Sequence, residues 1–348
     1  MSTTDPDALL EGLRRLPGFA DTAAGDLAAL PVTGLAHAHI RLAGARVLLR
    51  VPRNSFMGLA PAGALAHQAA VFERLAPSGR VPGLRGLVPP GPGVPFGALV
   101  VEDVAGRPPR LPEDLEAMAD ALAAIHAVAL PPRTARAPIR DETDPVAATL
   151  DLIHEQARHM EAARLAPAAR AQIEEEVRWA EGFAIVASVG EQPRRLVLTD
   201  TQPGNFLVGP DGFARFVDLE KALYGAPSID LAHASLRPSV GWDPACDTRL
   251  AMADVARFYR RYLAAAEPGY AAALRPWLAP MRRLTWLRTV TIFAKMKARH
   301  LAGTWSGAQL EPAFRDHVLA HIDRCHDPVA MTAMRAEWLE EGGLDAFL

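Results

Sequence analysis

Asp200, Asn205 and Asp218 are three polar residues whose types and spacing could support shared chemistry. Short apolar runs lie beside them, and Pro210-Asp211-Gly212 forms a typical turn sequence, because proline presets φ and glycine accepts a positive φ. This pattern predicts a strand, a loop and then a β-hairpin. The hairpin would place Asn205, at the start of its first strand, beside Asp218, at the end of its second. With Asp200 on the preceding loop, the three side chains should converge.

Two carboxylates and one carboxamide at one place suit phosphoryl transfer. In that chemistry one acidic residue orients the attacking hydroxyl, while an Asn and a second Asp hold magnesium against the phosphates. The simpler alternative is an ordinary β-hairpin with surface acids, because Asp, Asn and Gly are common turn residues.

The spacing of Asp200 and Asn205 resembles the Asp-x-x-x-x-Asn catalytic loop of protein kinases. More specifically, the segment resembles the aminoglycoside phosphotransferase and choline kinase superfamily, whose metal motif often reads Asp-x-Glu, as Asp218-Leu219-Glu220 does. Asp230 stands where this superfamily has a structural aspartate. The resemblance implies that Asp200 is the catalytic base and that Asn205, Asp218 and Glu220 are the metal ligands.

Two residues of the loop depart from the superfamily pattern, which commonly reads His-Gly-Asp. Leu198 replaces the His that normally supports the loop, and Thr199 replaces the Gly. A third departure lies on the predicted helix 64–75, where Gln68 stands in place of the Glu that partners the basic residue of the nucleotide site. These changes motivate an alternative reading of the chain as a pseudokinase, a module that binds nucleotide for a regulatory purpose.

The segment Val47–Val51 resembles the superfamily strand in which an Arg contacts the phosphates of ATP, which assigns that role to Arg50. A guanidinium is always charged, and it can bind two phosphate oxygens at once through two hydrogen bonds. Taken without the resemblance, Arg50 would be an exposed strand residue, since charged residues on strands usually face water. By the same resemblance Gly34 and His37 occupy the region of the glycine-rich loop, and Gln68 would hydrogen-bond Arg50.

The resemblance implies a protein-kinase-like α+β fold, with a small antiparallel β-sheet lobe over residues 1–101 and a larger, mainly helical lobe over residues 102–348. Glu102 and Val104 would belong to the hinge that recognises adenine. Apolar spacing predicts helices over much of residues 1–30 and at 64–75, followed by a helix that ends at His126, which we read as structural. A three-stranded meander is predicted over residues 32–51, and a further strand at 96–104.

The length and composition agree with a two-lobed globular protein. The chain has 348 residues, of which 50% are hydrophobic and 22% charged. Its net charge of −3 gives no indication of a nucleic-acid surface, and its two cysteines are too few for a disulfide framework or a zinc site. The N-terminus lacks the features of a leader, and no apolar run is long enough for a membrane span, so we expect a cytoplasmic protein.

Helices dominate the predicted structure after Asp230, in stretches near 246–265, 269–302 and 311–347. Related kinases build their acceptor pocket from such helices, and tryptophan faces could hold a quaternary ammonium group. Tryptophans at helical spacing are more often core residues, and we favour that interpretation. Five of the six tryptophans lie in this part of the chain: Trp242, Trp277, Trp286, Trp305 and Trp338.

These features predict a phosphotransferase that uses ATP and magnesium to phosphorylate a hydroxyl group of a small molecule. An amino alcohol, an aminoglycoside and a homoserine-like compound all remain possible acceptors, and the oligomeric state stays open. A third alternative is a phosphatase of the haloacid dehalogenase type. That enzyme needs a second aspartate two residues after Asp200, where this chain has Gln202.

Overall fold

A five-stranded antiparallel sheet forms the N-terminal part of the computed structural model, which describes residues 4–31, 36–54, 58–305, 307, 310–340 and 343–347. The strand order is β1-β2-β3-β5-β4. Two helices accompany the sheet, α1 (Pro6–Arg14) and α2 (Pro61–Leu75). The strands are β1 (Leu27–Ala29), β2 (His37–Leu42), β3 (Val47–Pro52), β4 (Leu84–Val88) and β5 (Ala98–Glu102).

Apolar side chains fix both helices to the sheet. Leu9 and Leu13 of α1 are fully buried and pack with Leu49 of β3 and Val88 of β4. On α2, Phe72 belongs to a second cluster that also includes residues of the helical part of the molecule. The predicted helix 64–75 is therefore confirmed, and its apolar stripe joins the sheet to the rest of the core.

The N-terminal prediction was wrong after Arg14. Helix α1 ends there, ahead of Pro17-Gly18, and Leu27–Ala29 is a strand rather than part of a helix. Leu27 pairs with Leu42 across β1 and β2, so sheet pairing outweighs the helical spacing of the leucines. The antiparallel meander exists, but its first strand is β1, and residues 32–35 lie outside the described residues.

Helices and two short β-ribbons make up the C-terminal part. The ribbons pair β6 with β9 and β7 with β8. Their strands are β6 (Arg195–Val197), β7 (Phe206–Val208), β8 (Ala214–Phe216) and β9 (Leu223–Gly225). The helices are α3 (Leu115–His126), α4 (Pro145–Ala157), α5 (Pro167–Ala187), α6 (Pro227–Ser235), α7 (Arg237–Val240), α8 (Met252–Ala265), α9 (Pro268–Leu274), α10 (Leu278–Leu301), α11 (Pro312–Cys325), α12 (Pro328–Leu339) and α13 (Leu344–Phe347).

Proline opens many of these helices, because its fixed φ suits the first turn and its missing N–H would lack a partner there in any case. Helix α10 packs against α4 and α6, and the residues it buries include Trp286, which is 1% exposed. Trp286 lies 5.4 Å from Trp338 between ring centroids, and Trp242 stacks on Phe293 at 5.7 Å. These rings pack within apolar clusters, as the core interpretation predicts.

The predicted α+β class is confirmed, with a small antiparallel sheet and a larger helical part. Strand β5 ends at Glu102, beside the predicted boundary between residues 101 and 102, and the division into two lobes at that point stays a prediction. Within the described ranges, no helix combines the length and the apolar character needed to cross a lipid bilayer.

Candidate active site

The predicted hairpin is present as strands β7 and β8. Phe206 pairs with Phe216, and Gly212 takes a φ of 77° in the turn, a conformation that suits glycine. Just beyond the paired strands, the Val217 amide donates to the Asn205 carbonyl at 2.9 Å. Asp218 therefore directly follows the residue that is bonded to Asn205, as the sequence predicted.

Asp230 holds the backbone of the preceding loop. Its Oδ2 accepts a hydrogen bond from the Leu198 amide at 2.7 Å, and its Oδ1 accepts one from the Thr199 amide, also at 2.7 Å. His126 Nε2 lies 3.0 Å from Oδ2, and the Thr201 hydroxyl donates to the Asp230 carbonyl at 2.6 Å. Asp230 is fully buried, so these contacts fix the loop from inside the protein. His126 has the structural role that the sequence predicted.

The two departures in the loop fit this arrangement. Thr199 has a φ of 61°, in the left-handed region where glycine is usual. Its hydroxyl donates to the Lys221 carbonyl at 2.9 Å, and its amide to Asp230, so local bonds hold the unfavourable conformation. Leu198 is fully buried in the main hydrophobic cluster. Packing thus takes the place of the polar contacts that a histidine could make there.

Asp200 lies at the centre of the loop, with its side chain about a quarter exposed (25%). Lys221 Nζ donates to its Oδ2 at 2.5 Å. Burial opposes ionisation of Asp200, but the charge of Lys221 outweighs it and lowers the pKa of the carboxyl group. Asn205 Nδ2 donates to the Asp200 carbonyl at 2.8 Å, and Asn205 Oδ1 accepts from Gln202 Nε2 at 2.9 Å. Asp200 is thus held as a carboxylate.

Asp218 is bonded to Arg50 across the interface between the sheet and the hairpin. Arg50 Nη2 lies 2.5 Å from Asp218 Oδ1, and Nη1 donates to the Val217 carbonyl at 2.6 Å. Burial opposes ionisation of Asp218, but the guanidinium charge outweighs it and lowers the pKa of the carboxyl group. The structure therefore brings Arg50 and Asp218 together, and Arg50 is buried rather than an exposed strand residue.

Gln68 reaches the site through His37 and not by a bond to Arg50. Its Oε1 lies 3.2 Å from His37 Nε2, so the imidazole donates there and its Nδ1 is an acceptor. That Nδ1 lies 3.2 Å from Glu220 Oε2 and 3.4 Å from Arg50 Nη2. The amide of Gln68 thus sets the tautomer of His37. A glutamate at position 68 could do the same, but it would add a further charge to the protein interior.

His37 and Glu220 meet as neutral groups. Burial, followed by the charge of Arg50, lowers the pKa of His37 to about 3. Burial, followed by the charge of Asp218, raises the pKa of Glu220 to about 8. A protonated Glu220 can donate to the Nδ1 of a neutral His37, so the contact is a hydrogen bond rather than an ion pair. We call Arg50, His37, Gln68, Asp218 and Glu220 the sheet-side cluster.

The sheet-side cluster also contains donor atoms that could bind a metal ion. One ligand atom each from His37, Asp218 and Glu220 lies within 4.8 Å of the others. Two of these residues, Asp218 and Glu220, are predicted metal ligands, and carboxylate oxygens suit magnesium. The third predicted ligand, Asn205, has its amide oxygen hydrogen-bonded to Gln202 Nε2 at 2.9 Å. The two carboxylates therefore suit a divalent cation, and His37 adds a nitrogen donor beside them.

The predicted hinge residues lie where β5 leaves the sheet. The Glu102 carboxylate accepts from the Gly83 amide at 3.3 Å, and the Asp103 amide donates to the Arg46 carbonyl at 3.0 Å. Val104 follows, partly buried. Gly34 lies outside the described residues.

Comparison with known proteins shows the family to which this chain belongs. The sequence profile of the phosphotransferase enzyme family matches residues 36–277. The chain belongs to this family. The match spans four of the five strands of the sheet, the loop and the hairpin, and it confirms both the resemblance and the prediction of a phosphotransferase enzyme. Among curated proteins, no significant match is found.

Solved structures show the same fold at low identity. A choline/ethanolamine kinase family protein from Mesorhizobium loti is 17% identical, with 98% of this chain and 97% of that chain covered and a TM-score of 0.57. A choline kinase from Cryptosporidium parvum is 12% identical, with coverage of 95% and 97% and a TM-score of 0.57. A spectinomycin phosphotransferase in complex with ADP and spectinomycin is 10% identical, with coverage of 87% and 93% and a TM-score of 0.52.

Sequence reasoning missed three basic side chains around Asp200 in this phosphotransferase. Lys221 directly follows Glu220 in the chain, a position that could have signalled it. His233 on α6 and Arg288 on α10 come close only through folding, and no local pattern marks them. Together with Asp200 and Glu142 they form what we call the loop-side cluster: Asp200, Glu142, Lys221, His233 and Arg288.

Proposed function

We propose that this protein transfers the γ-phosphoryl group of ATP to a hydroxyl group of a small molecule, with magnesium. The observation that carries the proposal is the convergence of Asp200, Asn205 and Asp218 beside Arg50. Each of these residues has the chemistry its task requires: an ionised carboxylate on a fixed loop, oxygen donors for a cation, and a guanidinium for phosphate. The ADP complex of the spectinomycin phosphotransferase supports a nucleoside phosphate as the donor.

In this proposal Asp200 receives the proton of the acceptor hydroxyl. The hydroxyl oxygen bonds to the γ-phosphorus while the bond from that phosphorus to the bridging oxygen breaks, and ADP leaves. Lys221 keeps Asp200 ionised and holds one of its oxygens, so the loop presents a carboxylate in a fixed orientation. The loop conformation held by Asp230 supplies the positioning on which phosphoryl transfer depends.

Arg50, Asp218, Glu220 and Asn205 would hold the donor side. Magnesium, when bound, neutralises charge on the phosphates. Asp218, Glu220 and Asn205 would bind it, and Arg50 would bind phosphate oxygens. In the structure Asp218 is already engaged by Arg50, so nucleotide and metal would share a site that is preassembled around opposite charges. His37 and Gln68 position Glu220 and Arg50 within it.

The two aspartates have different tasks, and this difference tests the proposal. Asp200→Asn should leave MgATP affinity nearly unchanged and lower turnover on the order of a hundredfold or more, the usual effect of losing a general base. Asp218→Asn should reduce both affinity and turnover. Calorimetric MgATP titration and steady-state kinetics, with a panel of hydroxyl compounds as acceptors, measure these effects. Unchanged turnover in Asp200→Asn would falsify the assignment, and tight MgATP binding without turnover of any acceptor would favour a pseudokinase.

A further inference from the structure

Two cations, Lys221 and Arg288, lie near the proposed catalytic carboxylate, and each makes a different contact with the loop. Lys221 bonds Asp200 and couples electrostatically to Asp200, Glu220 and Asp218, so it lies toward the sheet-side cluster. Arg288 couples instead to Asp200, Glu142 and Asp230. Its Nη2 lies 3.4 Å from the Thr199 carbonyl, at the loop residue just before Asp200. Arg288 therefore contacts the loop backbone at the residue before Asp200, whereas Lys221 bonds the Asp200 carboxylate itself.

Arg288 has little compensation for its charge. In the described part of the chain, no carboxylate lies within ion-pair distance, 4.0 Å, of its guanidinium. The guanidinium is partly buried, and burial lowers the pKa of Arg288. Withdrawing a cation from water without a close counter-charge is unfavourable, so an anionic ligand would stabilise this arrangement.

The neighbouring acid and imidazole do not cancel this charge. Glu142 is engaged by Arg140 Nη2 at 3.1 Å, and burial raises the pKa of its carboxyl group. Burial, followed by the charge of Arg288, lowers the pKa of His233 to about 4, so this imidazole is neutral near pH 7. The loop-side cluster therefore has two cations, of which Lys221 is bonded to the Asp200 carboxylate, while Arg288 contacts a backbone carbonyl.

We propose that the acceptor carries an anionic group, a carboxylate or a phosphate, which the Arg288 guanidinium binds while the acceptor hydroxyl lies against Asp200. This inference rests on the proposed function and names its substrate class. Guanidinium groups pair with both anions through two parallel hydrogen bonds, which would orient the acceptor as well as bind it. A polycationic acceptor, such as an aminoglycoside, would meet two positive charges at this place.

A panel of three-carbon acceptors matched in size separates these classes. It contains 3-hydroxypropanoate, glycerol 3-phosphate, neutral propane-1,3-diol and cationic 3-amino-1-propanol, with L-homoserine, choline and kanamycin as larger members. We expect turnover to be confined to, or fastest with, compounds that carry a carboxylate or a phosphate, and the first two members show which anion is preferred. Faster turnover of choline, 3-amino-1-propanol or kanamycin would overturn the inference while leaving the proposed function intact.

Variants of Arg288 test the residue itself. Arg288→Gln should raise the KM of the anionic acceptor on the order of tenfold to a hundredfold, as expected for a lost charged hydrogen bond, with the KM of ATP unchanged. Arg288→Lys should recover part of the loss. Arg299→Gln, an exposed position on the same helix, is the matched control and should behave as the parent. An unchanged acceptor KM, or a fall in kcat and melting temperature alone, would show that Arg288 only supports the loop through Thr199.

Anion binding at Arg288 can also be measured without turnover. Propanoate or inorganic phosphate is titrated into the protein in the presence of MgADP, and the binding is followed by calorimetry. We expect binding that Arg288→Gln weakens and Arg299→Gln does not. Failure of both anions to bind the parent would overturn the inference even if no acceptor is turned over. Failure of MgATP to bind at all would instead contradict the proposed function.

Discussion

The sheet-side and loop-side clusters are built in different ways. The sheet-side cluster joins side chains from β2, β3 and α2 to the segment after the hairpin, and its charges pair with one another or are neutralised. The loop-side cluster is drawn only from residues after β5, and within the described ranges no carboxylate lies within 4.0 Å of the Arg288 guanidinium. The sheet-side cluster thus joins the sheet to the segment after the hairpin, whereas the loop-side cluster contacts the loop that carries Asp200.

The largest expected effect comes from breaking the sheet-side ion pair. Arg50→Ala leaves Asp218 without its partner, and losing one member of a buried pair costs about 3 kcal/mol of stability. MgATP binding should also weaken, and Arg50→Lys should retain part of it because a point charge still neutralises phosphate. Urea unfolding and MgATP calorimetry measure the two effects.

Arg41→Ala is the matched control for that variant. Arg41 lies on the adjacent strand β2 and pairs with Asp103 at 2.6 Å, but its side chain is 50% exposed. Its loss should cost less than about 1 kcal/mol, as is typical of surface pairs. If Arg50→Ala is no more destabilising than Arg41→Ala, the contrast between the two clusters does not hold.

A smaller effect should appear in the dependence of stability on pH. The pKa of Glu220 is about 8 in the folded protein, against 4.5 ordinarily, so the folded state keeps a proton that the unfolded chain releases. Stability is therefore lost as pH rises through this window. Without metal, the parent should lose stability relative to Glu220→Gln between about pH 5 and pH 8, measured by urea unfolding.

His37 should act in the opposite direction. Its pKa of about 3 in the folded protein, against 6.5 ordinarily, means that the unfolded chain binds the extra proton. Its contribution is complete above about pH 6.5 and is lost as pH falls toward the folded pKa. His37→Gln should remove that acid-side loss without altering the change between about pH 7 and pH 8. Identical profiles for both variants and the parent would contradict the neutral pairing of His37 and Glu220.

The smallest expected effect concerns the loop-side cluster. Lys221→Met removes the charge that lowers the pKa of Asp200, so the acidic limb of the kcat/KM profile should move to higher pH. The profile is measured with the preferred acceptor. Lys297→Met, a lysine paired with Asp323 on the surface, is the control. An unmoved acidic limb in Lys221→Met would show that Lys221 does not tune Asp200.

The hairpin and the sheet-side residues could be predicted because short-range signals mark them. Turn residues at 210–212 set the hairpin, and its pairing brings Asn205 close to Asp218. The resemblance pointed to Arg50 as the phosphate contact. The spacing Asp-x-Glu pointed to Asp218 and Glu220 as metal ligands. The strand Leu27–Ala29 was missed because its leucines also fit a helical spacing, and only pairing with β2 decides between the two.

The loop-side residues could not be predicted, because their proximity depends on how distant helices pack. Arg288 reaches the loop only because α10 packs against α4 and α6. The role of Gln68 was misjudged for a related reason. Gln68 lies on the predicted helix. Its side chain bonds His37 rather than Arg50, and Gln68 and His37 are both buried, which the sequence does not indicate.

The two bonds from Asp230 to the loop amides have a consequence for how such chains are found. Because a buried carboxylate accepts hydrogen bonds from the amides of residues 198 and 199, these two bonds to the loop backbone do not require His and Gly at those positions. A genome search that demands His-Gly before the aspartate would discard this chain. A search for an aspartate bonded to two successive amides ahead of an Asp-x-x-x-x-Asn loop would retain it.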